Sequence, residues 1–405
     1  MSKGTIALLA LAMLLTGCWD RVEIEERGTV LALAIDPASE EEAAAEPLVS
    51  HPKGAAPASK KGNLLKVTAQ LAIPGQIPLG PESGGAGGNG AQDKVWVVSA
   101  VGHTMDDALQ NLQQSIANEL FFGHLQVVIL NRNIAENGID DINEYLRRMP
   151  EIRRTVWLVV NHTDAAGTMT VSPKLERVPA LYFAQTFRQA TKMGKLPAST
   201  MGRFWIDRSK EGKDGFLPYI TVKNKENIEV SGVAYFRDDK MQGVLRPHEV
   251  AYFNGLTEQN PGGASAYITV PGTGGEAIMF QSVHRDARYK LSFRGGRPHF
   301  DVYVTVKGIV KEKSSIKVDL EKPEDVAAIE QGAEEQFRKA FESVIRKTQA
   351  AEADIFGFGD QIRAFAPGYW DARIREAARW HQQYEQLSVS VHPTIRIIRM
   401  GMSPR

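Results

Sequence analysis

The chain predicts an α+β protein in three parts: a mixed α/β first part with helices on a mixed sheet, a β-rich middle segment, and an α+β third part. Three observations carry that expectation. Between residues 95 and 160 short apolar runs alternate with stretches of helical period; from 228 to 310 period-two runs dominate; and a long helical stretch beyond 320 precedes one closing strand. Strand and helix alternation implies right-handed crossovers into a parallel or mixed sheet, whereas strands followed by helices imply segregated packing. At 405 residues, 43% of them apolar, the chain can bury two or three cores without cross-links.

The first part is read over 29–195. Thr29–Asp36 (TVLALAID) forms a buried strand and Leu64–Ile73 (LLKVTAQLAI) its neighbour. Two insertions with little to bury, near 37–63 and 80–92, read as disordered loops. Val95–Val101 is a strand, and Thr104 with Asp107 forms a capping box into a helix that places Met105, Ala108, Leu109, Leu112 and Ile116 on one face. Leu125–Leu130 is a strand, Ile139, Ile142, Tyr145, Leu146 and Met149 mark a helix, and Thr155–Val160 is a further strand. Helical periodicity over Val178–Thr191 then leads into a Gly, Lys and Pro-rich connection, taken as the first boundary.

The middle part, 196–285, holds a hairpin turning at Asp238-Asp239-Lys240, with Val230, Val233 and Tyr235 on one arm and Val244 and Leu245 on the other. The third part, 286–405, begins with strands Tyr289–Phe293 and Phe300–Val310. An amphipathic helix carrying Val326, Ile329, Ala333, Phe337, Phe341, Val344 and Ile345 on one face follows. After DIFGFGDQIRAF come a short helix containing Trp370 and Trp380 and a last strand, LSVSVHPTIRII.

The N-terminus has the anatomy of a secretory signal: Lys3, about eleven apolar residues from Thr5 to Leu15, then small residues before the chain's single cysteine. As a helix the run reaches about 16 Å, half of a bilayer's hydrocarbon core. Leu15-Thr16-Gly17-Cys18 is a lipobox, so residues 1–17 are expected to be cleaved between Gly17 and Cys18, and the Cys18 thiol acylated. Residues 18–28 then form the anchored segment. A lone cysteine has no disulfide partner, and two acyl chains hold a protein to a membrane without polybasic help. Asp20, Glu23, Glu25 and Glu26 indeed outnumber Arg21 and Arg27 after the anchor.

Catalytic and cofactor signatures are absent. Basic and acidic residues balance at 48 each, which argues against nucleic acid as a partner. Gly80–Gln92 runs into a strand rather than the helix a phosphate loop needs, and Gly272-Thr273-Gly274-Gly275-Glu276-Ala277 is followed by a strand-like IMFQSV, so neither predicts a nucleotide site. Nine histidines show no pair at metal spacing, and His381 with Glu385 reads as a helix pair, solvated or beside a tryptophan, rather than a ligand set. No nucleophile motif appears. The expectation is therefore no enzyme, cofactor, metal or catalytic residue. Arg147, Arg148, Arg153 and Arg154 form the densest basic cluster, read as solvated residues around a turn with anionic lipid or an acidic partner as the alternative.

GCWDRVEIEERGTVLALAID resembles the mature start of the Ger(x)C family, lipoprotein C subunits of spore germinant receptors. Gly123–Ile139, Tyr145–Val160, Ser231–Leu245 and Asp354–Phe365 look like that family's pattern in the same order. The two insertions are departures, and both fall in loops. The resemblance implies a three-domain protein held by Cys18 on the outer face of the spore's inner membrane, assembled with membrane-embedded A and B subunits to sense nutrients. It implies no catalytic residue, and it leaves open whether this subunit contacts the germinant. An extracytoplasmic solute-binding lipoprotein is the alternative reading, and a cell-wall hydrolase the weakest, since no His, Glu or Cys grouping supports it.

Overall fold

The computed structural model describes residues 26–47, 49–52, 55, 64–73, 95–171, 176, 178–224, 226–257, 262–313 and 319–400. Cys18, the signal segment and the 80–92 insertion lie outside the described residues. Two sheets organise the rest. The larger has nine strands in the order β3-β2-β1-β5-β6-β7-β8-β9, with β4 (Glu119–Phe121) paired to β1. Its centre, β1 (Arg27–Pro37), β5 (Val127–Asn131), β6 (Trp157–Asn161) and β7 (Phe216–Lys223), is parallel. Antiparallel β2 (Leu65–Ala72) and β3 (Val95–Gly102) extend one side, and β8 (Asn227–Arg237) and β9 (Lys240–Leu245) the other. The expected mixed sheet with its strand and helix alternation is present.

Alternation along the central strands sends side chains to two cores. Leu33, Ile35, Val128 and Leu130 point to one face, where they meet helices α2 (Met105–Gln113), α3 (Arg132–Asn137), α4 (Asp140–Arg148) and α6 (Met201–Arg208). Ala32, Ala34, Val127 and Ile129 point to the other, towards α5 (Pro179–Lys192). A bulge between Val30 and Ala32 lets Leu31 join Ala32 on that second face. The second sheet, β10 (Ser265–Thr269), β11 (Ala277–Arg294), β12 (Arg297–Lys313) and β13 (Ser388–Met400), shares this core: Phe280, Phe300, Val302 and Val304 belong to the same apolar cluster as Ala32 and Ile129.

Helix α7 (Pro247–Leu256) lies between the sheets, and α8 (Pro323–Gln349) buries Ile329, Ala333, Phe337, Phe341, Val344 and Ile345 as its periodicity requires. Val326, placed on the same face, is half-buried. Glu334 and Glu330 of α8 accept the backbone N–H groups of Ile395 and Ile397 at 3.1 and 2.8 Å, occupying donors that edge strand β13 presents outward.

Three details differ from the sequence reading. Strands β7 to β9, assigned to a separate middle part, complete the first sheet, and β11 runs unbroken through the 285/286 boundary, because register pairing joins segments that composition separates. The 37–63 insertion is not wholly loop: α1 (Glu40–Ala44) forms behind a Ser39/Glu42 capping box, which the S-x-x-E spacing encodes. The helix expected to hold both tryptophans is broken. Trp370 sits in a π turn, Trp370–Ile374, that ends at Arg375 in left-handed backbone (φ 70°), and Trp380 lies on α10 (Ala377–Glu385).

The DIFGFGD segment is where the second sheet's half locks onto the first, through α9 (Phe358–Phe365) and the turn before it. Gly357 has φ 87°, which only glycine adopts freely, and a Cβ on Gly359 would lie 2.6 Å from the Gly212 Cα and from the Trp380 indole. Gly359→Ala is expected to cost about 1–3 kcal/mol by overpacking, whereas Gly368→Ala, with nothing within 4 Å, stays within about 0.5 kcal/mol. Urea unfolding of the two variants checks this; equal midpoints would sink the packing argument.

Candidate functional site

The densest buried polar cluster lies at this lock. Asp214 precedes β7, Asp354 follows α8, and His381 sits on α10; their exposures are 4%, 0% and 5%. The two aspartates exchange bonds, the Asp214 N–H donating to the Asp354 carbonyl and the Asp354 N–H to Asp214 Oδ2, both at 2.8 Å. Asp354 Oδ1 accepts from Gly357 N at 2.8 Å, and Oδ2 from Gly359 N at 2.9 Å and Trp380 Nε1 at 3.1 Å. His381 Nε2 lies 3.1 Å from Asp214 Oδ1, and Nδ1 lies 3.8 Å from Asp238.

Burial lifts the Asp354 carboxyl to about 7 against the pull of those N–H donors. For His381 burial works downward, but the Asp214 hydrogen bond and the charges of Asp214 and Asp238 outweigh it and raise the pKa. The cluster has no nucleophile to activate: the neighbouring Thr348 and Tyr384 hydroxyls bond to each other at 2.7 Å. Its chemistry is that of a clamp between the two halves. Ion pairs Lys210–Asp360, Arg237–Glu352 and Lys347–Glu249, at 2.6, 2.6 and 2.7 Å, continue the same seam. His381 thus bears on Asp214 rather than on Glu385, which is exposed.

A cavity of about 270 Å³ opens between α7, α8 and β11, lined by His248, Tyr252, Tyr267, Phe337, Phe341 and Arg285. Arg285 is 7% exposed; it donates to the carbonyls of Ala251 and Gly262 at 3.0 and 3.3 Å, and burial pushes its pKa down to about 10. Its role is to staple the middle of α7 and the segment at Gly262 to β11.

Arg147, Arg148, Arg153 and Arg154 are all exposed, as expected for a turn. Arg147 and Arg148 end α4, where cations complement the helix C-terminus, and Arg148 pairs with Glu144 at 2.5 Å. Gly272, Gly274 and Gly275 take φ between 76° and 104° in an open turn leading into β11, so the dinucleotide-like spacing marks a hairpin and no helix follows it. Two histidine–carboxylate groups escaped the sequence reading because each includes a member far away in the chain: Asp214 with Asp238 and His381, and Glu46 and His51 with His103. Only tertiary packing brings them together.

Residues 20–222 match the model of the spore germination protein N-terminal domain, and residues 231–401 the spore germination B3/GerAC-like C-terminal model. The chain belongs to the GerAC-like spore germination family. A putative spore germination protein of Bacillus subtilis (strain 168), YfkR, is 26% identical over 404 residues, covering 97% of this chain and 95% of that protein. Spore germination protein KC of the same strain is 25% identical over 438 residues, covering 98% and 96%. GerQC of Bacillus cereus is 22% identical over 314 residues, covering 78% and 85%. The crystal structure of the GerBC protein shares the fold, with TM-score 0.55 at 16% identity over 84% of this chain and 96% of that one.

The two family models part between β7 and β8, strands that pair directly with each other, so the larger sheet is completed only by strands from both halves of the family's sequence. The Asp214–Asp354–His381 clamp joins residues from both halves. Because Asp354 and His381 titrate above their ordinary values of 3.8 and 6.5, the folded protein holds protons that the unfolded chain releases. Their stabilisation is therefore present at low pH; the Asp354 share fades as pH rises from about 4 to about 7, and the His381 share fades only above 6.5. Between pH 6.5 and 8.5 unfolding free energy should fall by up to about 1.4 kcal/mol per pH unit for each proton lost, and His381→Gln should flatten that slope. A slope unchanged by the substitution excludes His381 as a titrating group.

Proposed function

We propose that this chain is the lipid-anchored, non-enzymatic C subunit of a spore germinant receptor. Held by Cys18 on the outer face of the spore's inner membrane, it would support nutrient-triggered germination by assembling with membrane-embedded A and B subunits. The observation that carries the reading is the pair of spore germination family models, which together span nearly the whole chain beyond residue 19.

The Leu15-Thr16-Gly17-Cys18 lipobox supports the anchor, and an acidic rather than basic stretch after it agrees with acyl chains as the attachment. No helix among the described residues is long and apolar enough to cross a membrane. A solute-binding lipoprotein closes two similar lobes around its ligand; here two unlike sheets share one continuous core. The body therefore acts as a rigid coupling element, and the small apolar cavity at Arg285 is not required for this role.

Cys18→Ser should keep the fold, seen as an unchanged circular-dichroism spectrum, while the protein leaves the membrane fraction of spores. Retention of the variant in that fraction would overturn the anchor. Deletion of the gene in a strain without a redundant receptor should abolish germination with nutrients, and germination at the parental rate would overturn the receptor assignment.

A further inference from the structure

The β1–β2 connection carries a constellation that the receptor reading does not use. β1 ends at Pro37, paired with Leu65, and Leu65 is paired with Gly102 at the end of β3. That register gathers the 38–64 insertion and His103 at one end of the sheet. There Glu46, His51 and His103 each offer a ligand atom within 4.8 Å of the others. Glu46 Oε2 lies 3.4 Å from His103 Nε2 and 4.0 Å from His51 Nε2, and the two imidazoles meet edge-on with centroids 5.1 Å apart. With metal–ligand bonds of about 2.0–2.1 Å, the edge of a tetrahedral site is about 3.4 Å, so small side-chain adjustments bring all three onto one ion.

The hydrogen bonds prepare the donors. Ser50 Oγ donates to Asp107 Oδ1 at 2.5 Å, so it accepts from His51 Nδ1 at 2.9 Å, and the His51 lone pair is left on Nε2, facing Glu46. Asp107 in turn accepts the His103 N–H at 2.8 Å, fixing the backbone that carries the third ligand. Glu46 Oε1, the second oxygen of the carboxylate that faces both imidazoles, is buried without a hydrogen-bond partner among the described residues, which is costly unless something else binds the carboxylate. The Asp214 group differs in this respect: Asp214 Oδ1 already accepts from His381 and from the Asp238 N–H, and Oδ2 from Asp354.

We infer that Glu46, His51 and His103 form a divalent-metal site of zinc type that clips the β1–β2 insertion to the start of α2. Two imidazoles and one carboxylate are a borderline donor set suited to Zn²⁺, and a water completes the tetrahedron. Two ligands lie on the insertion and one on the rigid sheet end, so the ion would order the insertion.

The test uses the full-length, tag-free chain in detergent, stripped with EDTA and titrated with zinc chloride. Elemental analysis after desalting should give about one zinc per chain. Zinc should raise Tm by several degrees and protect the 38–64 segment from proteolysis. The His51→Ala/His103→Ala double variant should lose all three responses while keeping the metal-free Tm, and Glu46→Gln should weaken binding about tenfold or more. No stoichiometric zinc, or equal zinc uptake by the double variant, overturns the proposal.

Discussion

The two halves of this protein are clamped together at the Asp354 carboxylate. It is fully buried, it takes N–H groups from the turn that follows it and from the Trp380 indole, and its own backbone is tied to Asp214 in the other half. A buried charge is tolerated only when its hydrogen bonds are made in full. The glycines of the DIFGFGD segment are the geometric condition for that: Gly357 turns where other residues strain, and Gly359 lets the backbone lie against Gly212 and Trp380. The segment is thus a structural lock whose sequence is dictated by contact distance.

The lock makes sense of a protein whose two sheets do not have separate cores. One apolar cluster runs from Ala32 and Ile129 in the large sheet to Phe280 and Phe300 in the small one, with α7 and α8 inserted between. Such packing is dense and transmits displacement, because side chains have few alternative positions. In the receptor-subunit role proposed above, a body of this kind would move as one piece. The Glu46–His51–His103 group belongs to the end of the large sheet marked by Pro37, Leu65 and Gly102.

Much of this was legible in the residues. The buried strand TVLALAID, the α2 face of Met105, Ala108, Leu109 and Leu112 (Ile116, expected on it, lies past the helix end at Gln113), the Asp238-Asp239 turn and the α8 stripe all follow from local period and capping. The turn at Gly272–Gly275 into a strand rather than a helix was equally readable, since IMFQSV carries a strand-like local pattern. What misled was composition: the linker-like stretch near 195 suggested a boundary, yet β7 pairs with β6 across it.

Secondary structure, the lipobox and family membership are properties of short windows, and the sequence alone determined them. Sheet membership, the Asp214–Asp354–His381 clamp and the Glu46–His51–His103 group were decided only by tertiary structure. Each group draws on members tens to well over a hundred positions apart, and no local propensity reports on such pairs. They meet because strand register and the shared core bring those particular backbones within hydrogen-bond reach.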